Sequence, residues 1–331
     1  MSTDGTLLLR REDVAELLTV DECIAAVESA FKLYGEGATP KPGMLSVHSP
    51  GGGFHLKAGV LNLDRHYFVV KCNANFFQNS KRYGLPNIQG VILLCDGENG
   101  QPLALMDSIE ITIRRTGAAT AVAAKYLSRT DAKVATICGC GNQGRISLQT
   151  LSKVRPLERV FAYDADAGQA ARFANELSGQ FNVEIEHTND LAAAVGQSDI
   201  CVTCTPSKEY FLKREYVSRG TFIAGVGADS EEKQELDPAL LATSNKIVVD
   251  ILDQCAVVGE LHHALEKGLL QRSDVHAELG EVVAGKKTGR SSDEEIIVFD
   301  STGMALQDAA AAAIVYEKAL NSGACANFKF A

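Results

Sequence analysis

The sequence has no cluster of lysines and arginines. Its 331 residues carry a formal net charge of -10. A surface that follows nucleic-acid phosphates needs a basic patch, so the balance argues against nucleic acid as a partner. There is no apolar run of the ~18 residues that would suggest a membrane-spanning helix. The longest apolar run, Ala309 to Tyr316, is alanine-rich, is flanked by Asp308 and Glu317, and reads as a packed helix. Met1 to Leu18 is charged throughout and lacks the apolar core of a secretion signal. A disulfide framework is missing as well: nine cysteines, an odd number, are scattered through predicted strands and helices. The seven histidines show no His-x-x-x-His spacing, and His262-His263 reads as a helix face. Internal repeats and low-complexity segments are absent. These gaps leave a soluble protein of a reducing compartment, expected to be cytoplasmic, with no membrane partner and no metal.

Apolar residues make up 46% and charged residues 22%, which is ordinary for a globular chain. The length suggests two domains. Residues 1–36 read as a short strand, Thr6 to Leu9, then a helix over Asp13 to Val20 and a longer one opened by Asp21-Glu22 and ended by Gly35 and Gly37. Residues 38–107 change character. Prolines and glycines punctuate β-like runs at Met44 to His48, Phe54 to Val60, Tyr67 to Cys72, Gln89 to Cys95 and Pro102 to Met106, which predicts a mainly antiparallel sheet. Asp96 to Gly100 reads as a hairpin loop. Asp107 looks like the cap of an alanine-rich helix reaching Leu127, with Glu110 at the capping-box position. From 131 to 300, strand runs at 133–138, 159–163, 182–186, 199–204, 221–225, 245–250 and 296–299 alternate with helices, the mark of an α/β doubly wound parallel sheet. A last helix to about Leu320 is long enough to cross back to the first domain.

The most informative stretch is Val134 to Gly144. A short apolar strand opens into Gly-x-Gly-x-x-Gly at Gly139, Gly141 and Gly144, and a helix-compatible segment starting at Asn142-Gln143 follows at once. Strand before and helix after give the glycines meaning. Gly139 permits a tight turn, Gly141 lets the backbone reach a pyrophosphate, and Gly144 lets helix pack on strand. The helix N-terminus offers free N–H groups to phosphates. A second run, Arg159 to Tyr163, ends on Asp164, where a carboxylate accepts ribose hydroxyls and repels a 2′-phosphate; Asp166 competes for that role. The chemistry favours NAD(H) over NADP(H).

Other positions carry chemistry with plain alternatives beside it. Arg114-Arg115 sits near a helix start, where a guanidinium could face a carboxylate or simply meet water. Lys71 ends the apolar run Phe68-Val69-Val70; an inward lysine is costly unless paired, so a strand-end lysine in water is the bland reading. Asp229 follows a predicted parallel strand and is either an acid/base group or a helix cap. Cys138, Cys140, Cys201 and Cys204 could meet as zinc thiolates, although buried free cysteine is the commoner outcome.

Several linked segments resemble the ornithine cyclodeaminase/mu-crystallin family over nearly the whole chain. They are Gly84-Leu85-Pro86, Pro102 to Asp107, Arg115 to Leu127, the glycine turn, Lys233-Gln234-Glu235-Leu236-Asp237, and Phe299 to Gly303 with Gln307-Asp308. The resemblance implies a Rossmann NAD-binding domain, residues 129–303, inserted into an α+β substrate-binding and dimerisation domain formed by 1–128 plus 304–331. It also implies a homodimer. Lys71 would bind the substrate carboxylate or imine, Arg115 would clamp the carboxylate, Lys41 would assist, and Asp229 would be the acid/base. Thr205, Val226 and Ser301 would line the cofactor. One departure concerns Phe54 to Gly59: His55 and Lys57 stand where compared cyclodeaminases carry a glutamate and a methionine. A cation there suits an extra carboxylate or carbonyl better than the ammonium of ornithine. The expectation is an NAD(H)-dependent oxidoreductase acting at the α-carbon of a small amino or imino acid. A cyclodeaminase giving proline or pipecolate from ornithine or lysine, and a non-catalytic ligand-binding protein, are the rivals.

Overall fold

A computed structural model describes residues 5–322 and 326–330. The chain divides into two compact units, Met1–Arg115 with Met304–Ala331, and Thr116–Gly303. The first break falls at Arg115, inside the helix Ile109–Leu127, whereas sequence alone put it after that helix, at 128. One uninterrupted helical run hides the change of unit. Asp107 accepts from Ile109 N at 2.9 Å and so caps the helix as expected, but Glu110 pairs with Arg114.

The first unit is built on a seven-stranded sheet. Its order is Ala326–Phe328, Thr6–Leu9, Pro102–Asp107, Ile88–Asp96, His66–Asn75, Gly52–Asn62 and Gly43–Ser49. All neighbours are antiparallel except Thr6–Leu9 with Pro102–Asp107. The short strand Ala326–Phe328 had no signal in sequence. The first helix is Arg11–Leu17, starting earlier than expected because Arg10 N bonds the Asp13 carboxylate at 2.8 Å. The second, Val20–Glu36, is capped by Thr19 with Glu22 and passes through Gly35; Gly37, at φ 78°, ends it.

Residues two apart on a strand share a face. One face of this sheet carries Lys57, Lys71, Ile92 and Met106 in register, and it is buried. The helix Ala305–Ser322 lies on that face and also packs on Val20–Glu36. Ala309 to Ala313 are all buried, which explains the alanine run: small side chains let a helix sit between a sheet and a second helix. The other face carries Leu8, Leu45, Val47, Phe54, Val91 and Leu105, all exposed.

The second unit holds eight parallel strands in the order Ala277–Glu278, Lys246–Val249, Ile297–Asp300, Phe222–Gly225, Ile200–Thr203, Val134–Cys138, Arg159–Tyr163 and Glu184–His187. This is the doubly wound Rossmann arrangement. The strand order reverses beside Val134–Cys138, so the crevice beyond its carboxyl end is where such sheets take ligands. No helix among the described residues is long and apolar enough to cross a membrane.

Candidate active site

In the first unit, Lys71 is neither at a strand end nor in water. Its strand runs on to Asn75, and the residue is 2% exposed on the inner face. Its Nζ lies 2.9 and 2.8 Å from the two Asp308 oxygens. Arg115, also buried, places Nε 3.1 Å from Asp308 Oδ1, and its Nη1 donates to Gln307 Oε1 at 3.0 Å. Arg114 is instead held by Glu110 at 3.4 Å. Lys57 is buried directly across from Lys71 in the ladder. His55 shares that face, opposite Asn73, and its Nδ1 lies 3.2 Å from Ser46 Oγ. Lys41 is exposed and so stands outside this buried group.

One carboxylate thus serves two buried cations, with a third lysine next to them. Burial, then the Arg115 charge, pushes the Lys71 ammonium down to about 7 against the pull of Asp308. Burial alone would raise the Asp308 carboxyl, but Lys71 and Arg115 outweigh it and hold it below the usual range. Lys71 and Arg115 share one carboxylate, an arrangement whose chemistry suits a second anion. In the sequence Gln307 and Asp308 stand out only as family markers. Their partners lie far back in the chain, which no local pattern reveals.

In the second unit the glycine turn is formed as its spacing predicts. Gly139 adopts φ 103°, where a side chain is strained. A Cβ on Gly144 would overlap the Gly139 carbonyl oxygen, whereas a Cβ on Gly141 would meet nothing within 4 Å. The helix Asn142–Val154 has no side chain capping its start, so its first N–H groups, from Asn142 on, lack a side-chain acceptor, and the space beside Gly141 is open. Asp164 follows Tyr163; its Oδ2 accepts from Cys140 N at 2.8 Å and Oδ1 from Asp166 N at 3.0 Å. It therefore braces the turn and still has lone pairs for a ribose. Asp166 is the N-cap of Ala167–Leu177, its Oδ1 accepting from Gly168 N at 2.8 Å. These features fit a dinucleotide: an open anion cradle at a helix start, with a carboxylate at the next strand end.

Asp229 lies in the loop after Phe222–Gly225. No helix starts there, and the next one, Pro238–Thr243, is capped by Asp237. Asp229 Oδ1 accepts from Lys233 Nζ at 2.6 Å, and its side chain is 42% exposed. Val226 N donates to Thr203 O at 2.9 Å, and Ser301 N to Gly225 O at 2.9 Å. Ser301 Oγ and Gly303 N both donate to the fully buried Asp250, which pins that turn. Thr205 is gripped by the buried Glu235, whose backbone is in turn held by the buried Glu260. Asp250 and Glu235 were missed because acidic residues in loops look solvated, and Glu260 because an acid opening a short helix does too. Cys138 and Cys201 are buried within strands, Cys204 Sγ donates to Cys138 O and Gly139 O at 3.3 Å, and burial pushes the Cys140 thiol up to about 12. All eight cysteines among the described residues are free.

A model of the ornithine cyclodeaminase/mu-crystallin family matches residues 5–323. An archaeal alanine dehydrogenase dimer with bound NAD superposes with a TM-score of 0.93 at 39% identity, covering 99% of this chain and 100% of that one. The Δ1-pyrroline-2-carboxylate reductase of Thermococcus litoralis, in complex with NADH and L-proline, gives 0.91 at 36% identity, covering 98% and 100%. The iminosuccinate reductase of Paracoccus denitrificans, in complex with NAD+, gives 0.88 at 30% identity, again covering 98% and 100%.

Proposed function

The chain belongs to the ornithine cyclodeaminase/mu-crystallin family, and from that premise we propose that it is an NAD(H)-dependent oxidoreductase acting at the α-carbon of a small amino or imino acid. The observation that carries this reading is the buried pair Lys71 and Arg115 sharing the single carboxylate of Asp308. A substrate carboxylate supplies the second anion. Held by an ammonium on one side and a guanidinium fork on the other, it fixes the orientation of the α-carbon next to it. Gly139, Gly141, Gly144 and the N–H groups of Asn142 and Gln143 hold the pyrophosphate, and Asp164 holds the adenosine ribose and disfavours a 2′-phosphate. Thr205, Val226 and Ser301 line the rest of the cofactor. Bound NAD(H) supplies or takes a hydride at the substrate α-carbon. Asp229 gives a proton to the substrate nitrogen or removes one, and Lys233 holds its carboxylate meanwhile.

Lys57 weighs against ornithine as the substrate. It is buried opposite Lys71, where a second substrate ammonium would meet a cation. A side-chain carboxylate or carbonyl is the better match, with His55, on the same sheet face, as a further polar contact. We also infer a homodimer: the outer sheet face bearing Leu8, Leu45, Phe54, Val91 and Leu105 is apolar and exposed, and a second copy would cover it. The free thiols support a reducing, cytoplasmic setting.

Asp229→Asn tests the proton-transfer role. NADH affinity should be unchanged, while turnover falls by about 100-fold or more. Normal turnover in that variant would remove Asp229 from the mechanism.

A further inference from the structure

At the carboxyl edge of the parallel sheet, one buried side chain ties together the loops after two neighbouring strands. Glu235 Oε1 accepts from Thr205 N at 2.5 Å and Thr205 Oγ1 at 2.7 Å. Its Oε2 accepts from Thr203 Oγ1 at 2.8 Å and Gly227 N at 2.9 Å. Thr203 and Thr205 belong to the end of Ile200–Thr203 and its following loop, and Gly227 to the loop after Phe222–Gly225. The grip is itself braced. Glu235 N and Leu236 N donate to the two oxygens of Glu260 at 2.7 and 3.1 Å, and Leu261 N donates to Asp300 Oδ2 at 2.9 Å. Glu235, Glu260 and Asp300 are all buried.

Burying three carboxylates is a poor way to gain stability. Apolar side chains of similar size would usually do as well. What the acids add is geometry: four donors on one carboxylate fix two loops relative to each other. The strand order says which part of a dinucleotide those loops serve. The glycine turn follows Val134–Cys138. Arg159–Tyr163, ending at Asp164, flanks it on one side, and Ile200–Thr203 and then Phe222–Gly225 flank it on the other. With the adenosine ribose at Asp164, the nicotinamide half extends over the opposite side, across the Thr205 and Val226–Asp229 loops.

We propose that Glu235 is a positioning residue for the nicotinamide half of the cofactor: it clamps Thr205 and Gly227 together and so sets the bed of the nicotinamide and the placement of Asp229, without touching the cofactor. This rests on the NAD(H) reading above. All four of its bonds come from the protein, and its side chain is 0% exposed, so its effect on the cofactor is transmitted through the loops.

Binding of NADH and of ADP-ribose, which lacks the nicotinamide, separates positioning from general support. In Glu235→Gln an amide NH2 meets donors whichever way the side chain turns, so the clamp fails on one side. NADH affinity should fall about tenfold or more, with ADP-ribose affinity kept within about twofold of wild type. Thr203→Val removes a single donor of a side chain buried beneath the loop, and it should give a smaller loss in the same direction; it decides the matter if the glutamine variant does not fold. Equal weakening of both ligands, or of neither, in a folded variant would overturn the proposal. Wild-type protein that binds neither ligand would overturn the NAD(H) reading itself.

Discussion

Lys71 is held in an uncommon state. Burial and Arg115 favour its neutral amine, Asp308 favours the ammonium, and the balance lies at about 7. A bound carboxylate favours the ammonium, so ligand binding takes up a proton wherever the free protein has lost it. The inhibition constant of a non-reacting carboxylate such as propionate should therefore rise with pH above about 7, by up to tenfold per pH unit. A constant that stays flat from about pH 6.5 to 9 would show that Lys71 does not bind the carboxylate. Lys71 affects stability in the opposite sense to the usual lysine ion pair. The unfolded chain returns the ammonium to its ordinary 10.5, so unfolding takes up a proton between about 7 and 10.5. The burial cost is full below that window and fades as pH rises through it.

Among the elements, the glycine turn offers a paired comparison. Gly144→Ala places a methyl group against the Gly139 carbonyl and should distort the turn, lowering both stability and NADH affinity. Gly141→Ala meets no protein atom and has φ of -79°, which alanine accepts. Its stability should stay within about 0.5 kcal/mol of wild type. Its NADH affinity should drop sharply, because the methyl fills the space of the pyrophosphate. Thermal melts with and without NADH read both effects, and an unimpaired Gly141→Ala would place the phosphates elsewhere. This turn was legible in sequence because its parts are neighbours: strand, glycines and helix all lie within Val134 to Val154. Seven of the eight parallel strands were legible for the same reason; the two-residue strand Ala277–Glu278 is too short to carry a pattern. Lys71 was not. Tyr67 to Val70 is apolar on both faces of its strand, so the alternation has no phase to read. The phase is set by Asp308, 237 residues later, on a helix that returns to cover one face. Glu235, Glu260, Asp250 and Asp300 were hidden in the same way, because acids in loops, at a strand end or at a helix start declare their burial only once the surrounding chain closes over them.

For the molecule as a whole, the first unit is completed by the last helix: the chain leaves at Arg115, builds a second unit, and comes back at Met304. The returning helix supplies both Gln307 and Asp308, so the buried group of Lys71, Arg115 and Asp308 forms only when the last helix has folded back onto the first unit. The outer face of the same sheet leads to an association prediction. Val91→Glu puts a charge in the middle of its apolar patch and should convert a dimer into a monomer in analytical ultracentrifugation. A dimer that withstands this change would place the interface elsewhere. Catalysis is tested most directly by NADH absorbance. The purified protein would be mixed with NADH and a panel of cyclic imino acids, and of 2-oxo acids with ammonia. An α-carbon reductase oxidises NADH with one class of the panel. No oxidation with any member, together with ammonia release from ornithine or lysine on catalytic NAD+, would contradict it.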